Sequence, residues 1–131
     1  MLEKRKTPRH PMRLRVFLPE LNAFGSTSDI SLYGCCIETN TRFDEGQLLD
    51  ILIELPIIGP IPLKGYIQHN RGKNQGTGLQ FVQVHFAQDQ SDYLMLYRSF
   101  LKFISQLENI RAQYLEMAQN GKLELFNFPE G

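Results

Sequence analysis

Two short polar segments carry the residue types that could hold a nucleotide. The first, at residues 4–9, reads Lys-Arg-Lys-Thr-Pro-Arg, and the second, at residues 29–34, reads Asp-Ile-Ser-Leu-Tyr-Gly. Neither segment follows an apolar core pattern, so their polar side chains are expected on the surface. Together they indicate one site for an anionic ligand that contains a ring.

The two segments offer complementary hydrogen-bonding groups. The guanidinium groups of Arg5 and Arg9 can fork onto a phosphate, bind the O6 and N7 edge of guanine, or stack on a purine. Asp29 and Ser31 are two residues apart, so on a strand both side chains leave the same face. The carboxylate can accept from N1 and N2 of guanine, while Gly34 lets the backbone turn and approach a ligand. One segment donates and the other accepts, which indicates a guanine nucleotide.

The elements that must position these segments are mostly strands. Short alternating apolar segments are separated by turn residues, a pattern typical of a small closed antiparallel barrel of about six strands. The strands are predicted at 13–19, 28–30, 33–39, 47–55, 61–70 and 77–86, with turns at 21–27, 41–46 and 56–60 and a hairpin loop at 71–76. The predicted organisation is a flexible basic arm at 1–12, a barrel at 13–87, a helix at 88–120 and a tail at 121–131.

The predicted helix carries two apolar faces. Asp89 or Ser91 can cap its start, and Asn120-Gly121 can end it. One face is a stripe that should pack on the barrel: Leu94, Tyr97, Leu101 and Ile104. The other is an a/d seam of about four heptads: Tyr93, Leu96, Phe100, Phe103, Leu107, Ile110, Tyr114 and Met117.

The seam predicts self-association, because it continues beyond the stripe that the barrel can cover. We expect a coiled coil or a helical bundle, and the alternative is a helix folded back on its own barrel. Residues 123–128 alternate leucine and phenylalanine with polar residues. That segment could add an edge strand or cover a partner subunit, and the sequence leaves both open.

Charge is unevenly distributed along the chain. The 131 residues contain 14 basic and 14 acidic side chains. The first fifteen residues hold one acidic residue, Glu3, and the following basic ones: Lys4, Arg5, Lys6, Arg9, Arg13 and Arg15. A local basic arm on an acidic remainder favours a small anionic ligand over nucleic acid, which usually meets a wider positive field.

Other features argue against membrane insertion, metal binding and catalysis. No apolar run reaches the ~20 residues that span a bilayer, and the basic start lacks an apolar segment after it. Cys35 and Cys36 are adjacent and point to opposite faces of a strand, so they do not suit a disulfide. The histidines lack metal-ligand spacing, and no nucleophile–base set is evident. We therefore expect a cytoplasmic protein that is not an enzyme and has no metal or catalytic cofactor.

The two segments resemble the motifs of PilZ domains. Residues 5–9 match RxxxR, residues 29–34 match (D/N)xSxxG, and residues 78–81, Gly-Leu-Gln-Phe, are similar to a late strand of the family. The resemblance covers roughly residues 3–87. It implies a PilZ-like split barrel of six antiparallel strands that binds the bacterial second messenger cyclic di-GMP. The binding residues that it implies are Arg5, Arg9, Asp29, Ser31 and Gly34, with Gly78 as a further candidate.

The residue before the first motif arginine bears on stoichiometry. Lys4 stands there, and in PilZ domains a basic residue at this position is associated with a stacked, intercalated pair of ligand molecules. A pair carries more phosphate charge and gains from another cation. We expect two ligands per protomer, with one as the alternative.

The function that follows is a non-catalytic bacterial receptor. It would relay cyclic di-GMP to an unidentified protein partner that controls motility, biofilm formation, exopolysaccharide synthesis or virulence. The alternatives are a nucleic-acid-binding barrel that uses the basic arm, and an oligomeric adaptor whose barrel holds no ligand.

Overall fold

A computed structural model describes residues 8–73, 80–89 and 91–129. In these residues seven β-strands precede one long helix. The strands are β1 (His10–Pro11), β2 (Arg15–Leu18), β3 (Ala23–Ile30), β4 (Gly34–Thr39), β5 (Leu48–Leu55), β6 (Gly59–Lys73) and β7 (Gln80–Phe86). A short 3-10 helix, Pro19–Leu21, joins β2 to β3, and the helix α1 is Asp92–Gln119.

Six of these strands close into an antiparallel barrel. The sheet order is β1-β3-β2-β5-β6-β7-β4, and an additional pairing between β3 and β4 joins its two sides. The two-residue strand β1 pairs with the end of β3. The predicted fold, a six-stranded barrel followed by a helix, is confirmed.

The barrel interior is filled by every second residue of its strands. In β5, Leu49, Ile51, Ile53 and Leu55 are buried while their neighbours are exposed or half-buried. Ile53 lies opposite Val16 of β2 and Ile61 of β6, both of them also buried. Each fully buried aliphatic side chain contributes about 1.5–3 kcal/mol. The alternation therefore fixes which face of each strand is inside.

One sequence prediction was wrong over residues 21–27. That segment was expected to be a turn because it contains Gly25 and Ser26, but β3 begins at Ala23. Pairing decides the outcome: β3 bonds to β2 along one edge and to β4 along the other. The buried Thr27 adds to this, since its hydroxyl accepts from Leu14 N (2.8 Å) and donates to Met12 O (2.7 Å). Tertiary pairing here overrides turn-forming composition.

The last residues of the basic arm are also more ordered than the sequence indicated. Residues 1–12 were treated as one flexible segment, yet His10 and Pro11 pair with Ile30 and Asp29 of β3. The His10 side chain is buried. The strand β1 therefore anchors the chain that follows Arg9 along the barrel.

Capping hydrogen bonds determine where α1 begins and ends. Ser91 caps the start, since its hydroxyl accepts from Leu94 N at 3.2 Å. At the other end Lys122 N donates to Met117 O and Gly121 N donates to Ala118 O, with Gly121 at φ +76. These two bonds form a Schellman motif, which satisfies the last helix carbonyls and needs a left-handed residue. The predicted ending at Asn120-Gly121 is confirmed.

The chain forms two compact units, Met1–Arg98 and Ser99–Gly131. The first contains the barrel and the first turns of α1, where Leu94 and Tyr97 are buried and Tyr97 packs edge-on against Phe86 at 5.0 Å between ring centroids. The second contains the rest of α1, where Phe100, Leu101 and Ile104 are buried.

The seam residues of α1 are mostly exposed. Phe100 is buried, and the other seven are 41–58% exposed: Tyr93, Leu96, Phe103, Leu107, Ile110, Tyr114 and Met117. Residues 124–129 adopt no regular secondary structure, so the edge strand considered for residues 123–128 does not form in the described tail. Among the described helices, none has the length and apolar character to cross a membrane.

Candidate ligand-binding site

The candidate site begins where β3 ends. Asp29 lies opposite Cys36 of β4, which in turn lies opposite Gln83 of β7. The next row, Ile30, Cys35 and Val84, belongs to the buried core. A β-bulge between Thr27 and Asp29 shifts the register just before this point, and such bulges re-aim side chains. Asp29 and Gln83 therefore share the outer face of three adjacent strands.

The two sequence motifs meet on this face. Arg9 Nη1 lies 3.5 Å from Asp29 Oδ1 and donates to Gln83 Oε1 at 3.1 Å. The side chains of Arg9 and Asp29 are 22% and 27% exposed, so the pair is partly shielded from water. At 3.5 Å the contact with the carboxylate is long for a hydrogen bond. The structure thus brings Arg9 and Asp29 together in an arrangement with room to tighten on a ligand.

Ser31 and Gly34 form the turn after β3. Ser31 N donates to Gly34 O at 2.8 Å, and Ser31 Oγ donates to the same oxygen at 3.2 Å. A Cβ on Gly34 would lie 2.1 Å from Val84 O, closer than any real side chain can approach. Glycine was expected here to let a ligand come close. In the structure, the close approach at Gly34 is instead between the backbones of β4 and β7.

A helix side chain also holds this turn. Tyr97 Oη donates to Ser31 O at 2.6 Å, and Phe86 N donates to Tyr33 O at 2.7 Å. Burial raises the pKa of the Tyr97 hydroxyl, so it remains a protonated donor. The sequence assigned Tyr97 only to an apolar stripe, although a buried tyrosine hydroxyl usually has a hydrogen-bond partner. This general rule was the sign in the sequence that a buried Tyr97 would make a hydrogen bond.

Two further side chains at the site escaped the sequence analysis. Tyr33 stacks on His85 with 6.3 Å between ring centroids and 12° between ring planes, and Tyr33 is half-exposed. Gln83 is buried and binds Arg9. Tyr33 occupies an unspecified position of the (D/N)xSxxG motif, and no local pattern singles out one glutamine in a strand.

Some predicted site residues cannot be placed. Lys4, Arg5 and Gly78 lie outside the described residues.

Burial raises the pKa of the Cys35 thiol, so this cysteine is protonated and packs in the core. Among the residues that the structure describes, no group of three histidine, cysteine or acidic side chains could hold a metal ion.

A family comparison agrees with this architecture. The family model described as "PilZ domain" matches residues 3–96. The chain belongs to the PilZ family. The match includes the basic arm, the whole barrel and the first residues of α1, and it stops one residue before Tyr97.

Solved structures share the fold of this PilZ domain at low sequence identity. The inhibitor of motility MotI/DgrA of Bacillus subtilis is 16% identical, with a TM-score of 0.66, over 82% of this chain and 53% of its own. YcgR of Escherichia coli in complex with c-di-GMP is 14% identical, with a TM-score of 0.65, over 89% and 51%. The PilZ domain of E. coli YcgR with c-di-GMP is 15% identical, with a TM-score of 0.58, over 92% and 100%.

This PilZ chain spans about half the length of MotI/DgrA and of full YcgR. Identities this low establish a common fold and no more. No curated protein matches the chain.

Proposed function

We propose that this PilZ domain is a non-catalytic receptor for cyclic di-GMP. The observation that carries the proposal is the meeting of Arg9 with Asp29 on the outer face of the barrel. It brings a forked cationic donor and a carboxylate acceptor to one place. Two solved structures of the same fold, both of YcgR, are described as complexes with c-di-GMP.

The chemistry of the ligand suits both groups. Asp29 accepts from N1 and N2 of one guanine, and Arg9 donates to a phosphate or to the O6 and N7 edge. Arg5 supplies the second guanidinium of the clamp. In the structure Arg9 Nη1 contacts Asp29 and Gln83, so the ligand exchanges a long ion pair for shorter, charge-assisted bonds.

Lys4 favours two ligand molecules per protomer. A stacked pair brings additional phosphate charge to the arm, and Lys4 adds a cation next to Arg5. A titration that saturates at one ligand per chain would contradict this part of the proposal and leave the receptor function intact.

The switch that we propose concerns the start of the arm. Because β1 pairs Pro11 with Asp29, the chain after Arg9 is anchored along β3 next to the motif carboxylate. Cyclic di-GMP then draws Arg5 onto the barrel and creates a new surface there. The charge of Arg5 supplies the attraction to the ligand phosphates.

The output passes to another protein in the bacterial cytoplasm. Control of motility is the leading candidate, because one protein of similar fold is an inhibitor of motility. Biofilm formation, exopolysaccharide synthesis and virulence are the other outcomes to test. The exposed seam of α1 supports self-association of the receptor.

A thermal-shift titration tests the receptor function. At a free ligand concentration of about 100 times Kd, binding stabilises a fold by about 2.7 kcal/mol, so the melting temperature should rise with cyclic di-GMP. GMP and cyclic di-AMP are the matched controls and should have little effect. No shift with cyclic di-GMP, together with salt-dependent binding to oligonucleotides, would instead favour a nucleic-acid-binding barrel.

A further inference from the structure

The loop that carries the Ser31 motif position is bonded to α1 by a part-buried hydrogen bond. Tyr97 is wholly buried, and its Oη lies 2.6 Å from Ser31 O. The two residues are 66 positions apart. The ring is held by Phe86, whose own amide donates to Tyr33 O in the same loop. Tyr97 and Phe86 therefore form one packed unit that contacts both ends of the Ser31-Leu32-Tyr33 segment.

This bond fixes the orientation of a peptide group inside the motif. The peptide that joins Ser31 to Leu32 is planar and trans, so its C=O and N–H point in opposite directions. Because the Ser31 carbonyl points to the Tyr97 hydroxyl, the Leu32 N–H points away from α1. The ψ angle of Ser31 is fixed with it, and this angle sets the direction of the chain from Leu32 to the motif residue Gly34. The spacing of the motif groups thus depends on a residue of the helix.

Loss of the Tyr97 hydroxyl would disturb the hydrogen bonding of this loop. The Ser31 carbonyl would become an acceptor without its donor beside a buried ring, and leaving a partly buried acceptor unsatisfied is unfavourable. The peptide group can regain a partner by rotating towards water. That rotation changes ψ of Ser31 and φ of Leu32, so it shifts the chain from Leu32 to Gly34 relative to Asp29 and Ser31. The ring itself would keep its packing on Phe86.

We propose that Tyr97 is a positioning residue for the ligand-binding loop, and that it couples cyclic di-GMP binding energetically to the docking of the first turns of α1. The inference rests on the proposed receptor function, and it lies outside the family match, which ends before Tyr97. Coupling between two sites is reciprocal. A ligand that holds Ser31 in its bound conformation strengthens the Tyr97 bond and thereby the docking of residues 92–98. The docking of α1 can then respond to ligand binding without a direct contact between α1 and the ligand.

The test compares Tyr97→Phe with a destabilising control. Tyr97→Phe removes the hydroxyl and keeps the ring. Ile53→Val shortens a fully buried side chain of the barrel core in β5, outside the helix segment 92–98. Isothermal titration with cyclic di-GMP gives the affinity, thermal denaturation gives the melting temperature, and NMR hydrogen exchange follows the Ser31 and Phe86 amides.

For Tyr97→Phe we expect about tenfold weaker binding and faster exchange of the Ser31 amide. Ile53→Val should lower the melting temperature and keep the affinity within about twofold of the original protein. Cyclic di-GMP should slow exchange at residues 92–98 in the original protein and lose this effect in Tyr97→Phe. These results together support the positioning role.

Three results would overturn it. Tyr97→Phe could melt earlier yet bind as tightly as the original protein, which would make Tyr97 a packing residue only. Both variants could weaken binding equally, which would reduce the effect to general destabilisation. Unchanged exchange of the Ser31 amide in Tyr97→Phe would show that the loop does not need the bond. If the original protein binds no cyclic di-GMP, the receptor function fails, and the exchange of the Ser31 amide alone decides the positioning role.

Discussion

Arg9 is the side chain around which the site is arranged. Its guanidinium contacts Asp29 of β3 and Gln83 of β7, two residues that are far apart in the chain and lie on either side of β4 in the barrel. Arg15 makes a comparable surface ion pair with Glu54, at 3.8 Å, but its side chain is 76% exposed. Exposed pairs of this kind contribute little to stability. The contrast separates an arginine held in a site from one that only covers the surface.

Replacement of Arg9 should therefore affect binding far more than stability. Hydrogen bonds to charged groups are worth about 1.5–3 kcal/mol, so Arg9→Ala should weaken cyclic di-GMP binding by about 10- to 100-fold. Isothermal titration measures the affinity, and urea denaturation should show a nearly unchanged midpoint. Arg15→Ala is the control and should retain binding. Equal affinity of Arg9→Ala and Arg15→Ala would refute the assigned role of Arg9.

At the scale of elements, the turn between β3 and β4 has a packing constraint in addition to the binding role that we propose for it. Gly34 lies at the start of β4 opposite His85, and the space for its Cβ is occupied by Val84 O. The same turn presents Ser31 and is held from behind by Tyr97. A glycine that matches a binding motif is thus also required by strand packing, so loss of binding on its replacement would be ambiguous unless stability is measured too.

Two glycine substitutions separate steric clash from backbone strain. Gly34→Ala should lower the free energy of unfolding by about 3 kcal/mol, because the backbone of β7 must move. Gly121→Ala places a methyl group in open space at φ +76, so it should cost only about 1 kcal/mol. Urea denaturation of both variants gives the comparison. Similar midpoints for the two would contradict the tight approach of β4 to β7.

At the scale of the whole molecule, the exposed seam of α1 is the feature that the barrel does not explain. Seven apolar side chains at heptad spacing are exposed. Five of them follow one another within the second compact unit: Phe103, Leu107, Ile110, Tyr114 and Met117. A run of this kind is typical of a surface between helices of associating chains.

Self-association should depend on the seam and not on exposed apolar residues in general. We expect multi-angle light scattering at micromolar concentration to give a mass of at least a dimer for the original protein. The double substitution Leu107→Glu and Ile110→Lys should give a monomer with unchanged helix content by circular dichroism. Met95→Glu, at an exposed position outside the seam, should leave the mass unaltered. A monomeric original protein would refute the prediction.

Local patterns were sufficient for the element types and for part of the site. The leucine- and isoleucine-rich segment 47–55 identified a strand, and the change of period after Ala87 identified a long helix. The motif residues Arg9, Asp29 and Ser31 could be named from type and spacing, because their chemistry resides in the side chains themselves. Composition misled where pairing outweighed it, as in β3, whose glycine and serine residues lie between two neighbouring strands. The same holds at both ends of β6, where residues 59–60 and 71–73 belong to the strand although a turn and a hairpin loop were predicted there.

Tertiary structure decided which distant segments meet. Closure of the barrel through β3 and β4, the contact of Arg9 with Gln83 and the bond from Tyr97 to Ser31 all join segments that no local period relates. Sequence specifies such contacts only through the packing of the whole core, in which the burial of many side chains selects one register for each strand. The sequence by itself thus determined the groups available to bind a guanine nucleotide. Only the folded barrel determined that Arg9 and Asp29 share one face and that a helix residue holds the loop beside them.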